Sequence, residues 1–197
     1  MSSAPFKINY HNSRPLELEE DRYMDDELCR LNEPGARVHE APRYQSEYEQ
    51  LCENDEAAAD LYDELLDRAV QRGLPVADNA ETGRGRGSYR CPVGERTLRR
   101  WRAASGQIPW CGEIRFQGSS FNEEDGILWR SYFHDLNDAE TSEPTDDVLF
   151  SSLRGKMVRK KKVKRGKQDS HIKGAIDEAR RWTRDHKQFS LRYLRES

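Results

Sequence analysis

Residues 113–153 read EIRFQ (113–117), GSSFNEEDG (118–126), ILWRSYFHDL (127–136), NDAETSEPTDD (137–147) and VLFSSL (148–153). In the first run Ile114 and Phe116 fall on one face of an extended chain, and Glu113, Arg115 and Gln117 fall on the other. The second run is the richest in aromatics, with Trp129, Tyr132 and Phe133, and the third is continuously apolar from Val148 to Phe150. Glycine, serine, asparagine and acidic residues fill the linkers, which are too short for a crossover helix. Three strands joined in this way pair as an antiparallel meander.

On the N-terminal side, Tyr44, Tyr48, Leu51, Ala58, Leu61, Tyr62, Leu65, Leu66, Ala69 and Val70 recur at helical spacing until Gly73 and Pro75 stop them. The spacing predicts an amphipathic helix in two pieces around Asn54-Asp55. Gly83-Arg84-Gly85-Arg86-Gly87 predicts a flexible basic loop, and Glu95 to Ala104 a short helix around Leu98 and Trp101. On the C-terminal side, a helix capped by Asp169 or Ser170 lines Ile172, Ala175, Ile176, Ala179, Trp182 and His186 along one face. Residues 1–43 read as an acidic, partly disordered extension with one periodic patch, Leu16 to Leu31, and residues 44–190 as the folded domain. The expected class is α+β. A small antiparallel sheet of three strands, with a fourth possible through the basic run, packs on one face against the N-terminal and C-terminal helices.

The net charge of −3 conceals a split: residues 154–197 carry 16 Lys/Arg against 5 Asp/Glu, and residues 1–153 carry 17 against 31. Its centre is Arg159-Lys160-Lys161-Lys162-Val163-Lys164-Arg165-Gly166-Lys167. A segment of this density calls for a polyanion, or for the chain's own acidic half. Contact between the extension and the basic run would attenuate binding in cis, because salt screens exposed charges beyond about 8 Å. No stretch approaches 18 apolar residues, and the N-terminus lacks the pattern of a signal peptide, so a soluble intracellular protein without membrane contact is expected. Cys29, Cys52, Cys91 and Cys111 form no CxxC pair, and His11, His39, His134, His171 and His186 do not complete ligand spacing around them. Neither a metal site, a disulfide framework nor a small-molecule cofactor is expected.

Several strings resemble the RelE/HigB-like toxins of bacterial toxin–antitoxin modules, particularly the phage-derived HigB branch. They are Leu61 to Pro75 (LYDELLDRAVQRGLP), Gly112 to Phe116 (GEIRF) and Trp129 to Phe133 (WRSYF), and the similarity covers roughly residues 45–187. In that family a helical hairpin with a Gly-Leu-Pro-like turn precedes the strands, and a hydrophobic strand, a lysine-rich segment and a terminal helix close the chain. The departures are an insertion around Gly83 to Ser105, the acidic loop at Asn137 to Asp146, the first 43 residues, and Ser151 and Ser152 where that branch often has a histidine. The resemblance implies a RelE/ParE-like fold and a cytoplasmic, metal-independent mRNA endoribonuclease. Its partners would be RNA, the ribosome and a small helix-turn-helix antitoxin.

Such a reaction needs an activated ribose 2′-hydroxyl, a neutralised phosphate and a protonated leaving oxygen. Arg115 and Arg130 sit on adjacent predicted strands and project from one sheet face if the register pairs them. The alternative is that they are ordinary strand arginines paired to Glu113 or Asp135. Tyr132 and His134 share the strand face of Arg130 by period-two counting, which offers a stacking ring and a proton carrier, although such residues more often serve the core. Lys156 joins this set as a phosphate neutraliser. Arg159, Lys160, Lys161, Lys162, Lys164, Arg165 and Lys167 form the candidate nucleic-acid-binding surface. Glu123, Glu124 and Asp125 lie in a turn and read as solvated. Competing readings are a non-catalytic nucleic-acid-binding protein, a nuclear regulatory protein with Lys161 to Arg165 as its localisation signal, and a toxin-like fold that inhibits gyrase.

Overall fold

A computed structural model describes residues 28–74, 89–93, 98, 106–119, 125–159 and 166–194. The chain enters through a 3₁₀ turn (Arg30–Asn32) and strand β1 (Arg37–Glu40), then forms helices α1 (Pro42–Asn54) and α2 (Glu56–Arg72). Strands β2 (Tyr89–Arg90), β3 (Gly112–Gln117), β4 (Asp125–Asp138) and β5 (Pro144–Arg159) follow, then helix α3 (Gly166–Asp185) and strand β6 (Phe189–Leu191). This is an α+β arrangement built on a six-stranded sheet of order β1-β5-β4-β3-β2, with β6 on β4.

The expected meander is present: β3 pairs antiparallel with β4, and β4 antiparallel with β5. The sheet as a whole is mixed, not antiparallel, because β1 runs parallel to β5 from Arg37 opposite Asp147 to Glu40 opposite Phe150. That strand lies inside the segment expected to be an acidic extension. Cys29, Leu31, Ala36 and Ala41 are all buried, so residues 29–41 belong to the packed body, and of the first 43 residues those upstream of 28 lie outside the described structure. Four polar or half-apolar residues with little alternation, Arg37-Val38-His39-Glu40, gave no strand signal. Pairing with β5 supplied one instead.

The two-piece helix ends where asparagine and aspartate interrupt the pattern. Asp55 caps α2 by accepting the backbone N–H of Ala58, and Gly73 closes it with a φ of 77° that suits a residue without Cβ. The α1–α2 pair covers one sheet face, where Tyr62 stacks on Phe116 at 4.8 Å and Tyr44 packs on Phe150 at 5.5 Å. A hydroxyl chain crosses this interface: Tyr44 Oη donates to Tyr62 Oη at 2.8 Å, and Tyr62 Oη lies 2.8 Å from Ser131 Oγ. Helix α3 covers the opposite face, where Ala179 and Trp182 pack with Leu149 and Leu136, and His39 lies 5.4 Å from the Trp182 ring. The helices therefore sandwich the sheet, correcting the expectation that they share one face.

β5 is longer than VLFSSL suggested. It continues through Lys156 and Met157 to Arg159, so the first residue of the basic run extends the third strand of the meander, and the fourth strand expected through residues 160–165 falls outside the described residues. α3 begins at Gly166, ahead of the expected cap at Asp169 or Ser170. The expected short helix at 95–104, apart from the buried Leu98, and the glycine–arginine loop at 83–87 lie outside the described residues.

Candidate functional site

Register places three arginines side by side. Arg115 on β3 stands opposite Arg130 on β4, and Arg130 stands opposite Arg154 on β5. Like charges in directly opposed positions destabilise a sheet by several tenths of a kcal/mol to about 1 kcal/mol per pair. Two buried carboxylates offset this. Glu113, fully buried, accepts from Arg115 Nε at 2.6 Å through Oε1 and from Arg130 Nη1 at 3.2 Å through Oε2. Glu47 on α1 accepts from Arg43 Nε at 2.7 Å and from Arg154 Nη2 at 2.5 Å.

Glu47 also replaces a strand. β1 pairs with β5 only as far as Phe150, and beyond it α1 runs along the vacated edge. There one carboxylate oxygen of Glu47 accepts the backbone N–H of Leu153 and the Ser152 hydroxyl, each at 2.7 Å. A buried ladder donor is thereby met by a side chain, which keeps β5 extended through Arg154 and Lys156.

Each expected site residue can now be placed. Arg115 and Arg130 are adjacent and on one face because the register pairs them, but both are bonded to Glu113, one of the two carboxylates named as partners if they were ordinary strand arginines. Tyr132 lies on the same face and is fully buried beneath α3, so it has no free ring face for a base to stack on. Burial raises its hydroxyl pKa above the usual value, with Glu113 pushing in the same direction. His134 is fully buried as well. Its Nδ1 lies 3.0 Å from the Trp110 carbonyl oxygen and its Nε2 lies 2.9 Å from Ser151 Oγ. Nδ1 therefore donates to the carbonyl and Nε2 accepts from the serine. Burial pulls its pKa down to about 4, which makes it a neutral structural histidine with both nitrogens engaged. Ser151 can reach it because a bulge between Tyr132 and Phe133 leaves Ser151 as the extra residue of β5.

Lys156 follows Arg154 by two residues on β5 and so shares its face, half-buried. Arg159 ends β5 and Lys167 lies in the first turn of α3. Lys160, Lys161, Lys162, Lys164 and Arg165 lie outside the described residues.

Sequence reasoning passed over three members of the cluster, Glu47, Arg154 and His171. His171 projects from α3 toward the arginine row. Its pKa is lowered first by burial and then by Arg154 and Arg130, with Lys156 acting the same way and Glu47 opposing. Arg154 was within reach, since carrying the β5 alternation three residues past Leu153 puts Arg154 and Lys156 on one face. His171 was not, because only the packing of α3 on this face brings it there. Among the described residues no three His, Cys, Asp or Glu side chains gather as metal ligands, and no helix is long and apolar enough to cross a membrane. No family model, curated protein or solved structure matches the chain.

Proposed function

We propose that this protein binds RNA through the cationic strip that runs from Arg115 across Arg130 to Arg154 and Lys156, and on along β5 into the lysine-rich run. One observation carries the reading: three arginines are held in register on adjacent strands, Arg115 and Arg130 sharing the carboxylate of Glu113 and Arg154 paired with Glu47. A fold gains nothing in stability by stacking like charges, whereas a polyanion site requires it. In sequence, the β5 end of the strip leads directly into the densest run of lysines in the chain.

The order helical hairpin, three-strand meander, lysine-rich segment and terminal helix supports a RelE/HigB-like reading, in which the RNA is messenger and a helix-turn-helix antitoxin covers the basic strip. Cleavage of the bound strand is the second reading. It is favoured by His171, a titratable group beside the arginines, which takes over the position that the locked His134 cannot fill.

Binding is tested by fluorescence anisotropy with a labelled single-stranded RNA across a salt series. Arg154→Ala and Lys156→Ala should each weaken binding and lower the slope of log K against log salt by up to about 1. Undiminished binding in the double variant, or no binding at low salt, removes the proposal. Cleavage is read in the same samples on a gel, where Arg130→Ala and His171→Asn should both abolish any product.

A further inference from the structure

Beside the arginine row, three buried polar atoms have no hydrogen-bond partner: Arg130 Nε, the Tyr132 hydroxyl and His171 Nδ1. Arg130 is 7% exposed and Tyr132 is 0% exposed, so water does not solvate them freely. Leaving such atoms unmet forfeits the hydrogen bonds they made to water in the unfolded chain. They belong together in space. Arg130 and Tyr132 are two residues apart on one face of β4, about 7 Å along the strand. His171 reaches that face from α3, close enough to feel the charges of Arg130 and Arg154.

The chemistry of the three atoms selects the ligand. Arg130 Nε–H can only donate, the Tyr132 oxygen can accept from the neighbouring guanidinium but its own proton finds no acceptor there, and a histidine nitrogen among arginines gains by carrying a proton toward an anion. The nearby acceptors are already occupied, Glu113 by Arg115 and Arg130 and Glu47 by Arg43, Ser152, Leu153 and Arg154. Arg154 and Lys156 on β5 add positive charge on the same side, which excludes a metal cation. A compact anion with several acceptor oxygens meets all three donors at once, and a tetrahedral phosphate has that geometry.

We infer that Arg130, Tyr132 and His171 form a clamp for a single phosphate group, held between β4 and the first turns of α3. The RNA reading supplies the natural source of that phosphate, and to that extent the clamp rests on it. Free inorganic phosphate has the same chemistry. The charged and titratable groups acting on His171 from the elements packed against it are Arg130 from β4, Arg154 and Lys156 from β5, and Glu47 from α1. A bound phosphate counters the three cations, so the site takes up a proton on binding and binds more tightly as pH falls.

The test is a titration of the full-length protein with inorganic phosphate, following the His171 side-chain resonances by NMR at pH 6 and pH 8, with chloride as the control for screening. Saturable shifts of His171, tighter at the lower pH, are expected. Tyr132→Phe removes an unmet hydroxyl, so it should fold at least as stably as the wild type while binding phosphate about fivefold more weakly, the loss of one net hydrogen bond. His171→Asn should abolish the pH dependence. A chloride titration that shifts His171 as phosphate does, or a Tyr132→Phe variant with unchanged phosphate affinity, overturns the clamp. An oligonucleotide with and without a 5′-phosphate then separates the sources. If RNA is bound while phosphate leaves His171 unmoved, the clamp alone fails. If phosphate moves His171 and RNA does not bind, the RNA reading fails and the site belongs to free phosphate.

Discussion

Arg115 and Arg130 face each other across β3 and β4 and are held by the two oxygens of a single carboxylate, Glu113, which is fully buried. Removing that charge leaves two opposed guanidiniums, 11% and 9% exposed in their side chains, without a counter-ion. Glu113→Gln should therefore cost about 3 kcal/mol in urea unfolding. Because the excess charge then lies beside the inferred clamp, sulfate or phosphate should restore part of the loss and chloride should not. A Glu113→Gln protein as stable as the wild type would show that the arginines are solvated without it.

Glu47 joins α1 to the open edge of β5 and to Arg154 at once. Glu47→Ala strands the Leu153 N–H, the Ser152 hydroxyl and two arginines, so a loss of about 3 kcal/mol is expected. Ser152→Ala removes one donor from the same oxygen and should cost about 1 kcal/mol. Hydrogen exchange localises the effect. Amide protection should fall first at Leu153 and along the outer half of β5, while β3 stays protected.

The acid limb of the stability curve should have two parts. His134 is held neutral, with its pKa drawn from 6.5 to about 4 by burial, so the unfolded chain binds its proton first. Its contribution is complete above pH 6.5 and is lost as pH falls toward 4, about 3 kcal/mol in all. His171 is shifted in the same direction and adds to that window. Asp147 titrates lower. Burial raises its pKa, but hydrogen bonds from Arg37, His39 and Thr145 outweigh this and bring it from 3.8 to about 2. Its contribution is present above about pH 4 and is lost between there and pH 2. Denaturant midpoints measured from pH 8 to pH 2 should show both slopes. His134→Gln should flatten only the upper one and Asp147→Asn only the lower.

Gly73 closes α2 against the 3₁₀ turn. With φ at 77°, a Cβ there would lie 2.3 Å from the carbonyl oxygen of Asn32, a backbone atom that cannot turn aside. Gly73→Ala should cost about 2 kcal/mol or more by thermal unfolding. The same substitution at Gly35, where φ is also positive but a Cβ would meet nothing within 4 Å, should cost less. The difference measures how firmly the segment upstream of α1 is bound to the body.

Periodicity made the meander and the helical pair legible, because each repeats its apolar residues over enough turns or pleats for one face to be unambiguous. Ile114 with Phe116, Leu51 with Tyr62, and Ile172 with Ala175, Ile176 and Ala179 are all buried as their spacing required. β1 was not legible: four residues cannot show a period, and its strand character comes from parallel pairing with β5, a partner more than a hundred residues away. At the site, alternation along one strand put Arg130, Tyr132 and His134 on one face, while Arg115 joined them only if the register paired the two strands, as it does. It did not fix what covers that face.

From sequence alone came the basic run, the three strands and the shared side of Arg130, Tyr132 and His134, all local properties of composition and spacing. The tertiary structure alone decided that α3 lies over that side. This buries Tyr132 and His134, brings His171 to the arginine row, and leaves Arg130 Nε and the Tyr132 hydroxyl without partners. The physical reason is that the sheet has two apolar faces to bury. A strand's sequence shows that both need cover without showing which helix, or which of its polar residues, will supply it.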